Sequence, residues 1–198
     1  MVFRRNSPGN FRSDPQMASS RKYFSQTARL GFSTWTKDDF PLAAAIWGDP
    51  EVTRYVGGPF SPEQVHQRLE REIESQAAQG VQYWPIFLLD SGNHVGAAGM
   101  RLQDAAKRIY AMGYYLRREF WGQGFATEAG RGVIRYAFET MKVNGLFAGH
   151  HPENHVSKIV LEKLGFRFTH CQLYAPTGLQ HPSYWLDRPV RPASGQPG

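Results

Sequence analysis

The chain has 198 residues, a single cysteine and a formal net charge of +6, which fits one compact domain with room for a substantial core. One cysteine excludes an intrachain disulfide framework, and no apolar run reaches the ~18 residues of a membrane span or forms the core of a secretory signal. Five of the six net charges fall in residues 1–30, where Arg4, Arg5, Arg12, Arg21, Lys22 and Arg29 face Asp14 alone, so the body of the chain is near neutral and nucleic-acid binding is disfavoured.

Residues 1–26, broken by Ser, Asn, Gly and Pro, read as a basic disordered leader, 27–188 as one folded domain and 189–198 as a disordered tail. Arg-rich and acid-poor also describes an organellar transit peptide, although Pro8, Gly9 and Pro15 break any amphipathic helix, and Met17 offers an alternative translation start. Ala28 to Trp35 is expected as a first strand. Thr36 and Asp39 form a capping pair for a helix running toward Trp47, with Pro41 early enough to be tolerated. An irregular connection, 48–59, leads to Ser61, Pro62 and Gln64, a helix start with cap, first-turn proline and box partner. Val65, Leu69 and Ile73 give that helix one buried stripe against a charged outer face, and Gly80 ends it.

Gln82 to Leu89 and His94 to Leu102 flank Asp90-Ser91-Gly92-Asn93 and read as a hairpin. A polar turn, 103–108, enters the strand Ile109 to Leu116. Then comes a glycine-rich turn, and from Gly124 a helix with Ala126, Ala129, Val133, Ala137 and Met141 at helical spacing. A strand feeding such a turn into a helix suits an anion, because first-turn N–H groups lack partners and the dipole favours negative charge. There is no P-loop signature, and Thr127 stands where a dinucleotide fingerprint needs its third glycine. Leu146 to His150 reads as a strand, and Asn154 caps a helix over 155–164 that Gly165 closes. Phe166 to Leu173 and Ser183 to Arg188 form the last strands, joined by a loop over 174–182. Cys171 is read as a buried or inert thiol. Helices first, then a meander, then strand–turn–helix make an α+β order.

The span GYYLRREFWGQGFATEAGRGVIRYAFE, followed by HPENHVSKIVLEKLGF, resembles the GNAT superfamily of acyl-CoA N-acyltransferases, and within it the branch of ribosomal-protein N-terminal acetyltransferases. Weaker similarity in TARLGFSTWTKDDF and DPEVTRYVGG extends the resemblance over residues 27–187. It implies a central, mostly antiparallel mixed sheet with helices on both faces, splayed where acetyl-CoA lies as cosubstrate, with no metal. The pantetheine arm would pair with open backbone like an added strand. Main-chain groups of Gly122, Gln123, Gly124, Phe125, Ala126 and Thr127 would receive the pyrophosphate, and those of Leu116 and Arg118 the pantetheine and thioester. Trp121 replaces the Arg or Gln usual in the family's turn.

Family members often carry a tyrosine seven residues after the Asn; here it is Leu161, so the branch resemblance assigns proton donation to Ser157, beside Asn154. Glu128 matches a frequent acidic position of the branch, although a carboxylate in a first helical turn is stabilised there anyway. The strand 109–116 holds no carboxylate, which leaves His150, His151, Glu153, Glu128, His181 or ordered water as base. His150 and His151 would point to opposite faces of a strand, so at most one faces the site. Tyr114, Tyr174, Thr177, His181 and Tyr184 are acceptor-side candidates, with a buried aromatic role equally open for Tyr184. The function expected is N-acetylation of a primary amine, foremost a protein N-terminus. A small amine as acceptor, and a non-catalytic acyl-CoA sensor, are the alternatives. An acidic pocket would favour small cations, an open groove a peptide end. A cytoplasmic monomer or homodimer is expected.

Overall fold

The computed structural model describes residues 21–189. Its elements are β1 (Ser25–Gln26), β2 (Leu30–Phe32), α1 (Phe40–Trp47), α2 (Pro50–Thr53), α3 (Pro62–Gln79), β3 (Tyr83–Leu88), β4 (His94–Asp104), β5 (Ile109–Leu116), α4 (Phe125–Arg135), β6 (Gly145–Gly149), α5 (His155–Lys163), β7 (Arg167–Tyr174) and β8 (Leu179–Asp187). One sheet runs β1-β2-β3-β4-β5-β6-β8-β7, antiparallel except for the parallel β5–β6 pair. Alternation along the strands feeds two cores. Met112 and Leu116 of β5 pack with Phe125, Ala129 and Val133 of α4 and Val160 and Leu161 of α5. Tyr115 turns to the opposite face, where Ala43, Ile46 and Trp47 of α1 meet Val65 and Leu69 of α3. The expected α+β sheet with helices on both faces is the one formed.

Local signals explain most element ends. Asp39 accepts from the Thr36 N–H at 2.8 Å and from its hydroxyl at 3.0 Å, and pairs with Arg21. Gln64 Oε1 accepts from the Ser61 N–H at 2.8 Å, and Gly80 closes α3 at φ 69°. The outer face of α3 is charged as expected, with Glu63, Glu70, Arg71 and Glu74 exposed, but Glu72 is buried on the inner side. It accepts the Tyr83 N–H at 2.8 Å and pairs with Arg101.

Three boundaries also differ. Ser25–Gln26 already pairs with Gly31–Phe32, so order begins before Thr27, and β2 is shorter than the expected 28–35 strand. The leader's residues 1–20 and the tail beyond 189 lie outside the described residues. The 174–182 loop is instead a tight turn: the Gly178 N–H reaches the Tyr174 carbonyl at 2.9 Å, and Pro182 sits within β8 opposite Cys171. Pro and Gly in that stretch signalled a loop, but the ladder tolerates Pro182, whose carbonyl takes the His150 N–H at 3.2 Å. Cys171 is exposed on β7, which overturns the buried half of the buried-or-inert expectation. Among the described residues no helix is long and apolar enough to cross a membrane.

His94, at the start of β4, is buried between Trp35 and Phe87, and neither ring nitrogen has a partner. Burial, reinforced by the nearby Arg117 guanidinium, pushes its pKa down to about 3. An unfolded chain takes up that proton near 6.5, so this group's stability contribution is intact above pH 6.5 and is lost as pH falls toward 3. Between pH 7 and 5 the loss is about 2 kcal/mol. Urea unfolding at the two pH values should show a clearly flatter dependence in His94→Leu than in the parent.

Candidate active site

The site begins with an unfinished pairing. β4 runs beside the whole of β5, from Gly96 opposite Leu116 to Asp104 opposite Ile109. On the other side β6 meets only Ile109, Tyr110 and Ala111. Beyond Ala111 the two strands part. The Arg117 N–H turns to the Val95 carbonyl of β4, at 2.9 Å. By alternation, the main-chain groups of Met112, Tyr114 and Leu116 face the gap. The Leu116 carbonyl is already engaged there by the Trp121 indole N–H at 2.8 Å.

At the open end lies the glycine turn. Gly122 and Gly124 hold φ of 73° and 81°, and a side chain at Gly122 would meet nothing within 4 Å, so glycine serves there for conformation and not for space. Gly124 caps α4 without any side-chain acceptor. The first intrahelical bond is the Glu128 N–H to the Gly124 carbonyl at 3.1 Å. The N–H groups of Phe125, Ala126 and Thr127 therefore form a donor cluster at a helix N-terminus, able to take a phosphate-like anion. Arg29, counted in the sequence only among the basic residues of 1–30, braces this turn. Its guanidinium donates to the Gln123 carbonyl at 3.2 Å, lies 4.1 Å from the Phe125 ring centre and pairs with Glu128. Arg118 pairs with Asp49 at 3.5 Å.

Glu128 is thereby occupied. It accepts from the Thr27 hydroxyl at 2.6 Å and the Arg29 N–H at 2.8 Å, and it lies outside the central cavity lining. Burial raises its pKa, but the Thr27 and Arg29 hydrogen bonds outweigh this and hold it below the usual carboxylate range.

The gap between β5 and β6 widens into a cavity of about 460 Å³. Tyr114, Asn154, Ser157 and Leu161 stand on its wall. Asn154 Oδ1 caps α5 by accepting the Ser157 N–H at 3.0 Å, and the Tyr114 hydroxyl donates to Ser157 Oγ at 3.1 Å. A phenol bonded in this way leaves the serine proton free to be given elsewhere. Burial raises the Tyr114 pKa, against the pull of its Ser157 bond.

His150 and His151 both line the cavity, contrary to the one-face expectation, because β6 stops at Gly149 and the chain turns. His150 Nδ1 donates to the His151 carbonyl at 2.8 Å, and its Nε2 accepts from the Tyr184 hydroxyl at 3.3 Å. Burial lowers its pKa. Tyr184 is thus behind the wall, not on it. His151 Nδ1 accepts the Glu153 N–H at 3.2 Å. Tyr174 and His181 line the cavity as expected, with Thr177 behind His181. Thr177 Oγ1 lies 2.9 Å from His181 Nε2 and 3.3 Å from the Tyr174 carbonyl, and so fixes the ring's orientation from behind. Burial, then His151 and His150, lower the His181 pKa.

Opposite Ser157's wall stand Tyr55, Arg68, Tyr83, Arg101 and Tyr115, which the local sequence reading passed over. One signal was present: Val65, Arg68, Leu69 and Glu72 fall on one helical stripe, so two charges belonged to a buried face.

A half-paired parallel strand, a glycine turn opening a helix and a hydroxyl pair at their junction define an acyl-transfer scaffold. A family model described as an acetyltransferase (GNAT) domain matches residues 29–167. The chain belongs to the GNAT acetyltransferase family, and it is an acyltransferase. An uncharacterized N-acetyltransferase, p20 of Bacillus licheniformis, is 29% identical over 143 residues, 71% of this chain and 80% of that protein. Among solved structures, a GNAT-family acetyltransferase from Bacillus anthracis has a TM-score of 0.73 at 21% identity, covering 83% of this chain and 98% of that one. RimL, a ribosomal alpha-N-protein acetyltransferase in complex with coenzyme A, has a TM-score of 0.70 at 15% identity, covering 81% and 95%.

The Arg29–Glu128 brace ties the β1–β2 connection to the first turn of α4. A double-mutant cycle with Arg29→Ala and Glu128→Ala, read by urea unfolding, should give a coupling of about 1 kcal/mol, the upper end for partly exposed pairs.

Proposed function

We propose that the protein is an acetyl-CoA-dependent N-acetyltransferase that acts on an α-amino group, foremost the N-terminus of a protein or peptide, by direct transfer in a ternary complex. The observation that carries this reading is the gap past Ala111, which joins the donor cluster at the mouth of α4 to the Tyr114–Ser157 pair. The coenzyme A complex of RimL supports the same cosubstrate here. The N–H groups of Gly124 to Thr127 would hold the pyrophosphate, with Gly122 and Gln123 shaping the turn. The main chain of Met112 and Tyr114 would flank the pantetheine arm.

In the reaction the amine nitrogen bonds to the acetyl carbon as the carbon–sulfur bond breaks. Main-chain N–H groups along β5 stabilise the developing oxyanion. Ser157 Oγ–H gives its proton to the departing thiolate and is replenished by the Tyr114 hydroxyl, which positions it. His181 takes the amine proton, directly or through water. A neutral imidazole suits an α-amine, with pKa near 8, far better than a lysine near 10.4. No Asp or Glu lines the cavity among the described residues, so a polycationic small amine finds no counter-charge.

Coenzyme A release should be measured against peptides with free N-termini, peptides whose only amine is a lysine, and polyamines, with acetyl-CoA binding followed by calorimetry. Turnover should favour the free N-termini; binding without turnover on any amine would overturn the reading. Ser157→Ala should lower kcat about 100-fold with acetyl-CoA affinity retained, and Tyr114→Phe should lower it less. Unchanged kcat in Ser157→Ala would remove the serine from its role.

A further inference from the structure

The acceptor side of the cavity holds a positive charge that no described lining residue balances. Arg68 and Arg101 both line it, and Glu72, just behind, is the single carboxylate they share. Glu72 is spent on Arg101 and on the Tyr83 N–H, and it stands 3.8 Å from Arg68 Nε, beyond hydrogen-bond reach. Arg68 donates to the Tyr115 hydroxyl at 3.2 Å, but its buried Nε has no hydrogen-bond partner. Its side chain is only 12% exposed. The guanidinium is packed among rings instead, 4.6 Å from the Trp47 centre and 4.9 Å from that of Tyr115. Cation–π contacts recover part of the cost of burying such a charge, yet they supply no counter-charge of its own.

A cavity-lining guanidinium held among aromatic rings, with a single carboxylate shared between two cations, is suited to take a second carboxylate. Gln103 and Gln172 line the same cavity and add neutral donors. We infer that the acceptor carries a carboxylate beside the amine that is acetylated, and that Arg68, assisted by Arg101, binds it. This specificity rests on the acetyl-transfer reading above. Two sources share the chemistry: the α-carboxylate of a free amino acid, and an acidic side chain on a peptide's first residue.

The test is steady-state coenzyme A release by the full chain with paired acceptors: free amino acids against their amides, and peptides beginning with Asp against the same peptides beginning with Asn. In at least one pair the acid should exceed its amide in kcat/KM about tenfold or more, mainly through KM. The pair that responds identifies the source. In Arg68→Met the preference should fall toward unity while calorimetry shows unchanged acetyl-CoA affinity. Arg68→Lys, which keeps the charge but loses the fork, and Arg101→Gln, at a half-exposed position, should each give an intermediate ratio and decide the matter if Arg68→Met does not fold. Equal rates within both pairs overturn this inference while acetyl transfer stands. A preference that survives in all three variants removes the assignment to Arg68 and Arg101. Acetyl-CoA binding with no turnover of any acceptor overturns both readings.

Discussion

The site depends on β5 being paired along its whole length on one side and for only three residues on the other. A strand with open main-chain groups invites a partner of strand-like shape, and a protein that leaves such an edge inside its sheet must hold the two halves apart. Here the β6–β8–β7 half continues the sheet through its own antiparallel ladders, and α5 packs beneath the divide with Val160 and Leu161 in the core. The opening is therefore a stable feature of the fold, flanked by main chain that a ligand can satisfy. The turn at its mouth is equally fixed, through glycines in left-handed conformations and the Arg29 brace.

How much of this was legible in the sequence follows from the range of each interaction. Caps and breakers act within four residues, and Ser61 with Gln64, Gly80, Gly124 and Asn154 stand where local chemistry put them. β5 and the hairpin before it were visible as apolar runs between turn residues. Tertiary ties were not. Tyr114 and Ser157 are 43 residues apart, Arg29 and Glu128 are 99 apart, and nothing periodic links them. Tyr184 is an informative case: an acceptor-side role and a buried aromatic role were equally open, and it is buried, its hydroxyl orienting His150 from behind. Pro182 misled in the other direction, because its carbonyl could still serve the sheet even though its nitrogen could not.

The two faces of the cavity have different electrostatic characters. Toward α5 the polar groups are two hydroxyls bonded to each other and an amide that accepts the Ser157 main-chain N–H, all uncharged. Toward α3 they are guanidiniums among tyrosines, with one carboxylate for two cations. A neutral amine approaching between these walls meets no fixed negative charge that would favour its protonated form, which is the form that cannot attack. The same arrangement that repels a cation keeps a nucleophile available.

The indole of Trp121 has a practical consequence. Of the five tryptophans, Trp35, Trp47 and Trp84 are buried, whereas Trp121 is 46% exposed and hydrogen-bonded to the last carbonyl of β5. The chain thus carries an intrinsic fluorophore at its own doorway. With three of the other indoles buried and Trp185 partly so, Trp121 is the most exposed indole of the five and sits on the glycine turn, a built-in optical reporter of that turn's surroundings.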